Sequence, residues 1–415
     1  MLAGLPPAAG YTYFGQFIMH DLTFDDTPFR AAGEQEPNDT VNGTTPRLDL
    51  NSVYGDGPGS AAHGHLYSGI RFKLGSVLSP ITQRPFDVPF INGTPAVADP
   101  RNCENAIVRQ IHCMFLLLHN LIADRLRPTI LDPKKLFETT RSHVRWHFQR
   151  LVRYDFLPHV CNKMVYRSVV GRNHRLIHWP WGHFSIPVEF SQAASRFGHS
   201  MVRETYLLAE NPARSATLAE LFESARGETT LNAALAVDWN LFFRDVGEPS
   251  ETIDTHLVNP LRELPDVAIH PFVSSPTPHE PHVLAERTLC RGARTRLPTG
   301  QQMRVALRAD PIISETDPSW ETLRSLGFEN ETPLWFYTLL EAQLNEGGHR
   351  LGTVGSRIVA EVIEACLQHD PNSFLHRGGG KWIDLKLGEA DKETTINNLF
   401  DVAVAVGLWK EPGSP

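Results

Sequence analysis

The chain has no block of lysine and arginine: 39 basic residues stand against 47 acidic ones, a net charge of −8. Phosphate backbones are held by clustered positive charge, so no nucleic-acid partner is expected. Apolar runs such as Cys113 to Leu118 fall far short of the ~20 residues that cross a bilayer, and no membrane span is expected. The N-terminus, MLAGLPPAAGYTYFGQF, lacks a charged segment followed by a long apolar one. It does not read as a secretory signal, which makes a cytoplasmic location the default expectation. Cysteine is scarce: Cys103, Cys113, Cys161, Cys290 and Cys366 are odd in number, widely spaced and without a C-x-x-C pair. Buried reduced thiols are expected, not a disulfide framework or a zinc site. There are 19 histidines but no H-E-x-x-H, which disfavours a zinc hydrolase. No internal repeat and no low-complexity tract occur. Asn-x-Thr triplets beginning at Asn38, Asn42, Asn92 and Asn330 carry no weight without a secretory route.

What is present is an ordinary globular composition, 41% hydrophobic and 21% charged. The first hundred residues alternate short apolar runs with Gly, Pro and Asn, as in Gly55-Asp56-Gly57-Pro58-Gly59, and read as long loops around a short helix. From Glu104 to Leu126 the pattern changes. Ile107, Val108, Ile111, Phe115, Leu118 and Ile122 recur at helical steps and predict a buried amphipathic helix. Similar periodicity runs through Arg141–Val152, Val188–Arg203, Leu334–Leu344 and Ser356–Leu367, with Pro/His-rich connections between Asn259 and Pro281. The fold is expected to be mainly α, a single large helical domain over 1–415 with long loops and little β structure.

Four segments carry groups suited to chemistry. In Gly15-Gln16-Phe17-Ile18-Met19-His20-Asp21, a helix puts Gln16 and His20 on one face and turns Asp21 away by about 100°; most such pairs are satisfied core or surface polar groups. In Thr45-Pro46-Arg47-Leu48-Asp49-Leu50-Asn51, side-chain oxygens at Thr45, Asp49 and Asn51 suit either a hard cation such as Ca²⁺ or ordinary Asx turns. In Asp99-Pro100-Arg101-Asn102-Cys103-Glu104, Asn102 or Glu104 is placed to cap the long helix. In Ser195-Arg196-Phe197-Gly198-His199, a glycine within a helical pattern marks the approach of something bulky, although a lone histidine there is usually a core residue.

Together these segments resemble the animal haem peroxidases in identity, order and rough spacing. The resemblance extends over GQFIMHDLTFD, LDLNSVYG, RNCEN, FLLLHNLIADRL, IPVEFSQAASRFGHSMVR, LCRGARTRLPTGQ, TPLWFYTLLEAQ and RLGTVGSRIVAEV. It implies His20 as the distal histidine, Gln16 as the distal glutamine, Arg101 as the distal arginine and His199 as the proximal ligand of the haem iron. It implies one Ca²⁺ held by Asp21, Thr45, Asp49 and Asn51 with the carbonyl of Arg47. Arg291 matches an arginine beside a haem propionate, and Glu104 a carboxylate that esterifies a haem methyl. The implied activity is reduction of hydrogen peroxide through a ferryl intermediate at the expense of phenols, other aromatics or halides, in keeping with a response to oxidative stress.

Three features depart from the family pattern. Met19 stands where studied mammalian members have an esterifying aspartate, so haem b is expected to be non-covalent or held by a single ester through Glu104. Thr288 stands where many members have an asparagine that accepts the second N–H of the proximal histidine. His20 follows almost at once on Met1, so the domain is expected to lack the N-terminal segment of its relatives, or Met1 is a late start. A fatty-acid dioxygenase on the same fold would need a tyrosine three residues before the proximal histidine, in the haem pocket, where this chain has Arg196. A non-catalytic haem or calcium module would be expected to have lost His20 or Arg101, and both are present.

Overall fold

A computed structural model describes residues 5–25, 41–179, 184–226, 229–244, 247–264, 282–310, 313, 317–377 and 399–408. The fold is mainly α. The helices that build the site are α1 (Gly10–Leu22), α2 (Asn51–Tyr54), α3 (Ala106–Leu126), α4 (Pro133–Leu151), α5 (Leu284–Arg294), α6 (Leu334–Glu346) and α7 (Thr353–His369). Sheet is limited, among the described residues, to antiparallel two-stranded hairpins, the longest pairing β1 (Thr205–Glu210) with β2 (Ala213–Thr217). One continuous apolar core takes in residues from Ala8 to Val406.

α3 is the axis of that core. The Asn105 side chain accepts from the N–H groups of Ile107 and Val108 and starts the helix, so Asn105 is the cap in place of the expected Asn102 or Glu104. By length and composition α3 could cross a bilayer, yet its apolar window is entirely buried inside the protein, as befits a core helix. α1 packs on α3 and on the end of α4 through Phe14, Phe17, Phe115, Phe148 and, just beyond α4, Phe156, whose rings meet edge-to-face or stacked with centroids 5.1–6.4 Å apart. All five are essentially buried, and each contributes about 1.5–3 kcal/mol through burial. This wall fixes the rotation of α1, and so which of its residues face the site. At the start of α1, a Cβ on Gly10 would lie 2.4 Å from the Phe242 carbonyl, so only glycine fits.

The expected helix over Val188–Arg203 is not continuous. It divides into a turn of α-helix, Val188–Ser191, and a 3-10 segment, Ala194–His199. The Arg196 guanidinium donates to the Ser191 carbonyl, and the Gln192 side chain is drawn to Asp25. Side-chain bonds thus take over from a helical ladder here. The 3-10 segment packs between α1 and α6, while α5 packs on α6. Most of the connection expected between Asn259 and Pro281, and the triplet at Asn38, lie outside the described residues.

Candidate active site

α1 presents its polar residues as its rotation dictates. His20 is buried and its Nδ1 lies 3.0 Å from Asn102 Oδ1. Gln16, one turn earlier, donates from Nε2 to Glu104 Oε2 at 2.7 Å and accepts from Asn105 Nδ2 at 3.1 Å. Glu104 Oε2 is 3.8 Å from His20 Nε2, so Gln16, His20 and Glu104 converge. Burial, reinforced by the Arg101 charge, pushes the His20 pKa down to about 4 and keeps the ring neutral. Burial pushes the Glu104 carboxyl up to about 8, against the pull of Arg101. Met19 is half-buried on the same helix, packed against the core.

Arg101 is brought beside His20 and engaged there. Its guanidinium bonds Asp99 and donates to the carbonyls of Thr23 at 2.6 Å and His20 at 2.7 Å, with the Phe24 ring 4.7 Å away. It therefore holds the last carbonyls of α1 and places positive charge at the histidine's own backbone.

Asp21 points the other way, as its position on the helix predicts. Its carboxylate accepts from Leu50 N at 2.9 Å, Ser52 N at 3.3 Å and Ser52 Oγ at 3.2 Å. Leu50, at φ 56°, is in the left-handed region, a strained conformation for a branched side chain that this anchoring holds in place. Asp49 accepts from Thr45 Oγ1 at 3.0 Å and from Asn51 N at 3.1 Å. Burial, with the negative charge of Asp49 added, pushes the Asp21 carboxyl up to about 7. Two mutually repelling carboxylates beside a hydroxyl are a donor set that fits a hard cation. No three His, Cys, Asp or Glu side chains converge as a metal group among the described residues. A cation here would therefore take its remaining oxygens from Thr45, Asn51 and the Arg47 carbonyl.

His199 ends the 3-10 segment between α1 and α6. Its Nδ1 is buried with no hydrogen-bond partner, and burial followed by the Arg196 charge pushes its pKa down to about 3. A neutral imidazole in this setting is suited to bind a metal through its other nitrogen. Trp335 lies edge-on, 6.3 Å between ring centroids, and donates to the Arg196 carbonyl. Nothing lies within 4 Å of the position a Cβ on Gly198 would take. The residue before His199 thus faces open space, and the close neighbour expected of that glycine is not supplied by protein. Thr288 is buried and donates to the Leu284 carbonyl at 3.0 Å, one turn back on α5; since His199 Nδ1 has no partner, the threonine hydroxyl does not accept from that ring as the family pattern suggests.

Arg291 donates to Asp25 Oδ2 at 2.6 Å, Gln192 donates to the same oxygen at 2.8 Å, and Arg196 reaches Gln192 Oε1 at 3.1 Å. This network joins Arg196 and Arg291 and includes two residues, Asp25 and Gln192, that sequence reasoning missed. The positive charge of Arg287 also acts, weakly, on both Glu104 and Arg196. Asp25 closes the HDLTFD segment, the signal that could have found it. The neutral His199 ring, with Nε2 left for a metal, the space at Gly198 and the Arg196/Arg291 pair fit an iron-bound macrocycle carrying carboxylates.

Comparison with known proteins bears on part of this chain, the family match running from just after α1 to before α5. The profile of the animal haem peroxidases matches residues 25–266. A peroxidase-like protein of Margaritifera margaritifera is 31% identical over 148 residues, 33% of this chain and 18% of that protein. The thyroid peroxidase of Rattus norvegicus is 28% identical over 185 residues, 40% of this chain and 20% of that protein. The matched stretches thus span about a fifth of these relatives. Among solved structures, peroxidase A of Dictyostelium discoideum superposes with a TM-score of 0.59 at 17% identity, covering 95% of this chain and 86% of the other. A fatty acid alpha-dioxygenase of Oryza sativa superposes with a TM-score of 0.71 at 14% identity, covering 97% and 76%. At such identities the structural likenesses show the fold, whereas the profile match covers more than half of the sequence, and on that ground the chain belongs to the animal haem peroxidase family.

Proposed function

We propose that this chain is a haem-dependent peroxidase that reduces hydrogen peroxide and oxidises a small donor, a phenol or other aromatic compound or a halide. The observation that carries the reading is the pairing of two histidines on adjoining elements, His20 buried and His199 half-buried. His20 sits within a cluster of acid–base groups, and His199, a neutral imidazole, sits beside the Arg196/Arg291 network. His199 would hold the iron, and Arg196 and Arg291 would hold the haem carboxylates. When bound, haem supplies the redox chemistry of peroxide reduction.

The chain's own residues handle protons and charge. His20 Nε2 takes a proton from one oxygen of hydrogen peroxide and returns it to the oxygen that departs as water. Arg101, at the His20 backbone, adds positive charge where negative charge grows as the O–O bond breaks. Gln16, fixed between Glu104 and Asn105, presents an amide to the same region and orients what enters. Asp21 and Asp49 would hold one Ca²⁺ against the far side of α1. A fatty-acid dioxygenase reading lacks its tyrosine, since Arg196 occupies that slot and bonds Ser191 and Gln192.

The test is an absorption spectrum of the purified, haem-supplied protein with and without peroxide, followed by a donor screen with guaiacol and halides. A haem spectrum that changes with peroxide and returns on adding donor is expected. His199→Ala should bind little haem or show an altered spectrum, and His20→Ala should bind haem but react with peroxide slower by orders of magnitude. A wild-type protein that binds no haem, or a His20→Ala variant reacting at the wild-type rate, would refute the reading.

A further inference from the structure

Asn102 has no part in the function above, yet its side chain is completely buried at the junction of three elements. Its Oδ1 is 3.0 Å from His20 Nδ1 on α1. Its Nδ2 is 3.2 Å from the Ser52 carbonyl on α2 and 3.0 Å from His112 Nδ1 on α3. The Ser52 carbonyl can only accept, so the atom facing it must be the amide nitrogen. The flipped amide would bring two oxygens together at that distance, which fixes the orientation from a neighbour of known polarity. The opposite atom is then the amide oxygen. An oxygen that can only accept requires a proton on His20 Nδ1. The second amide N–H, aimed at His112 Nδ1, requires that nitrogen to accept, which puts the His112 proton on Nε2.

We propose that Asn102 is a positioning residue that locks His20 in its Nδ1–H tautomer, oriented for this by the Ser52 carbonyl, so that Nε2 is the bare nitrogen facing Gln16 and Glu104. A neutral imidazole carries one proton on two nitrogens, and only the tautomer with Nε2 free can take a proton from a molecule beside Glu104. The kinetic consequence rests on the peroxidase reading, whereas the tautomer assignment does not. Ser52 is also a partner of the Asp21 carboxylate, so α2, bonded to one side of α1, sets the proton position on the other.

The test is nitrogen NMR of the full-length chain labelled in its histidine rings. It is recorded at neutral pH in a diamagnetic state, the reduced carbon monoxide form where haem is bound. His20 and His112 are assigned by loss of their signals in His20→Gln and His112→Phe. The unaltered protein should show an unprotonated Nε2 on His20 and an unprotonated Nδ1 on His112. His112→Phe should leave the His20 signature in place, because Ser52 still orients the amide. Asn102→Leu, similar in size and without an acceptor, should convert His20 to a tautomer mixture. It should also lower the rate with peroxide about 10- to 100-fold, with haem content and the donor-dependent rate retained. A protonated Nε2 on His20 in the unaltered protein would overturn the proposal, as would Asn102→Leu with both signature and peroxide rate unchanged. A chain with the Nδ1–H tautomer that binds no haem would uphold the assignment and refute the peroxidase reading alone.

Discussion

Replacing Arg109 by methionine should destabilise the fold more than most single changes, because it strands a charge. Arg109 and Asp87 are both wholly buried, with Nε–Oδ1 at 2.5 Å and Nη2–Oδ2 at 2.7 Å. Asp87 also accepts from Val88 N and Leu231 N, each at 2.7 Å, and the guanidinium lies 4.7 Å from the centre of the Phe90 ring. Methionine fills much of the same volume but leaves the carboxylate with two backbone N–H groups and no cation. The expected cost is about 3–5 kcal/mol, a large part of the ~5–15 kcal/mol that holds a typical domain together. Adding Asp87→Asn should recover part of that loss. The neutral amide still accepts from one of the two N–H groups, and an unmatched donor costs about 1–3 kcal/mol. Urea unfolding of the full-length proteins by circular dichroism and tryptophan fluorescence gives the values, provided the two probes coincide. The reasoning fails if Arg109→Met costs under ~1 kcal/mol, or if the double variant is destabilised by the full sum of the two singles.

The other expectations concern the site. Metal analysis of active protein should find one Ca²⁺, and a chelator should lower the melting temperature of the unaltered chain but not of Asp49→Asn; active protein free of calcium would rule the site out. Glu104, raised from 4.5 to about 8, binds its proton more tightly in the folded chain. Its contribution to stability is therefore present at low pH and lost as pH rises through that window. Glu104→Gln should gain on the unaltered haem-free chain by on the order of a few kcal/mol between those limits, and parallel pH–stability curves for the two would refute this. Mass spectrometry of haem peptides should show at most one ester, through Glu104 and none at Met19, with Met19→Asp gaining a second; doubly linked haem in the unaltered protein would contradict it.

The periodic apolar residues of α3, α4, α6 and α7 made those helices legible, because a buried face repeats locally and needs no knowledge of its partner. The shared face of Gln16 and His20 and the opposite aim of Asp21 followed from helical spacing, whereas Glu104 entered the site only through the family resemblance. Val188–Arg203 was misread because Arg196 and Gln192 break the ladder with bonds to Ser191 and Asp25, the latter far away in sequence. The cap at Asn105 was ambiguous in sequence, because Asn102 and Glu104, residue types that also suit a helix start, lie within three residues of it. Asn102 and the Arg109–Asp87 pair were not readable at all. An isolated asparagine or arginine has no local signature of burial, and their partners lie on other elements.

The site's bonds also bear on the order in which the chain assembles. Gln16 and Glu104 are 88 residues apart, Gln192 and Asp25 are 167, and Arg291 and Asp25 are 266. Bringing distant residues together costs entropy that grows with the length of the loop closed, so local helices and their packing precede such contacts. During synthesis, the helices through α4 can form and pack before Arg291 has left the ribosome. The His20 side of the site is then built early, and the side that carries His199, Arg196 and Arg291 late. Whatever the site holds is gripped from both sides only near the end of folding, and until then the acid–base cluster around His20 stands without its counterpart.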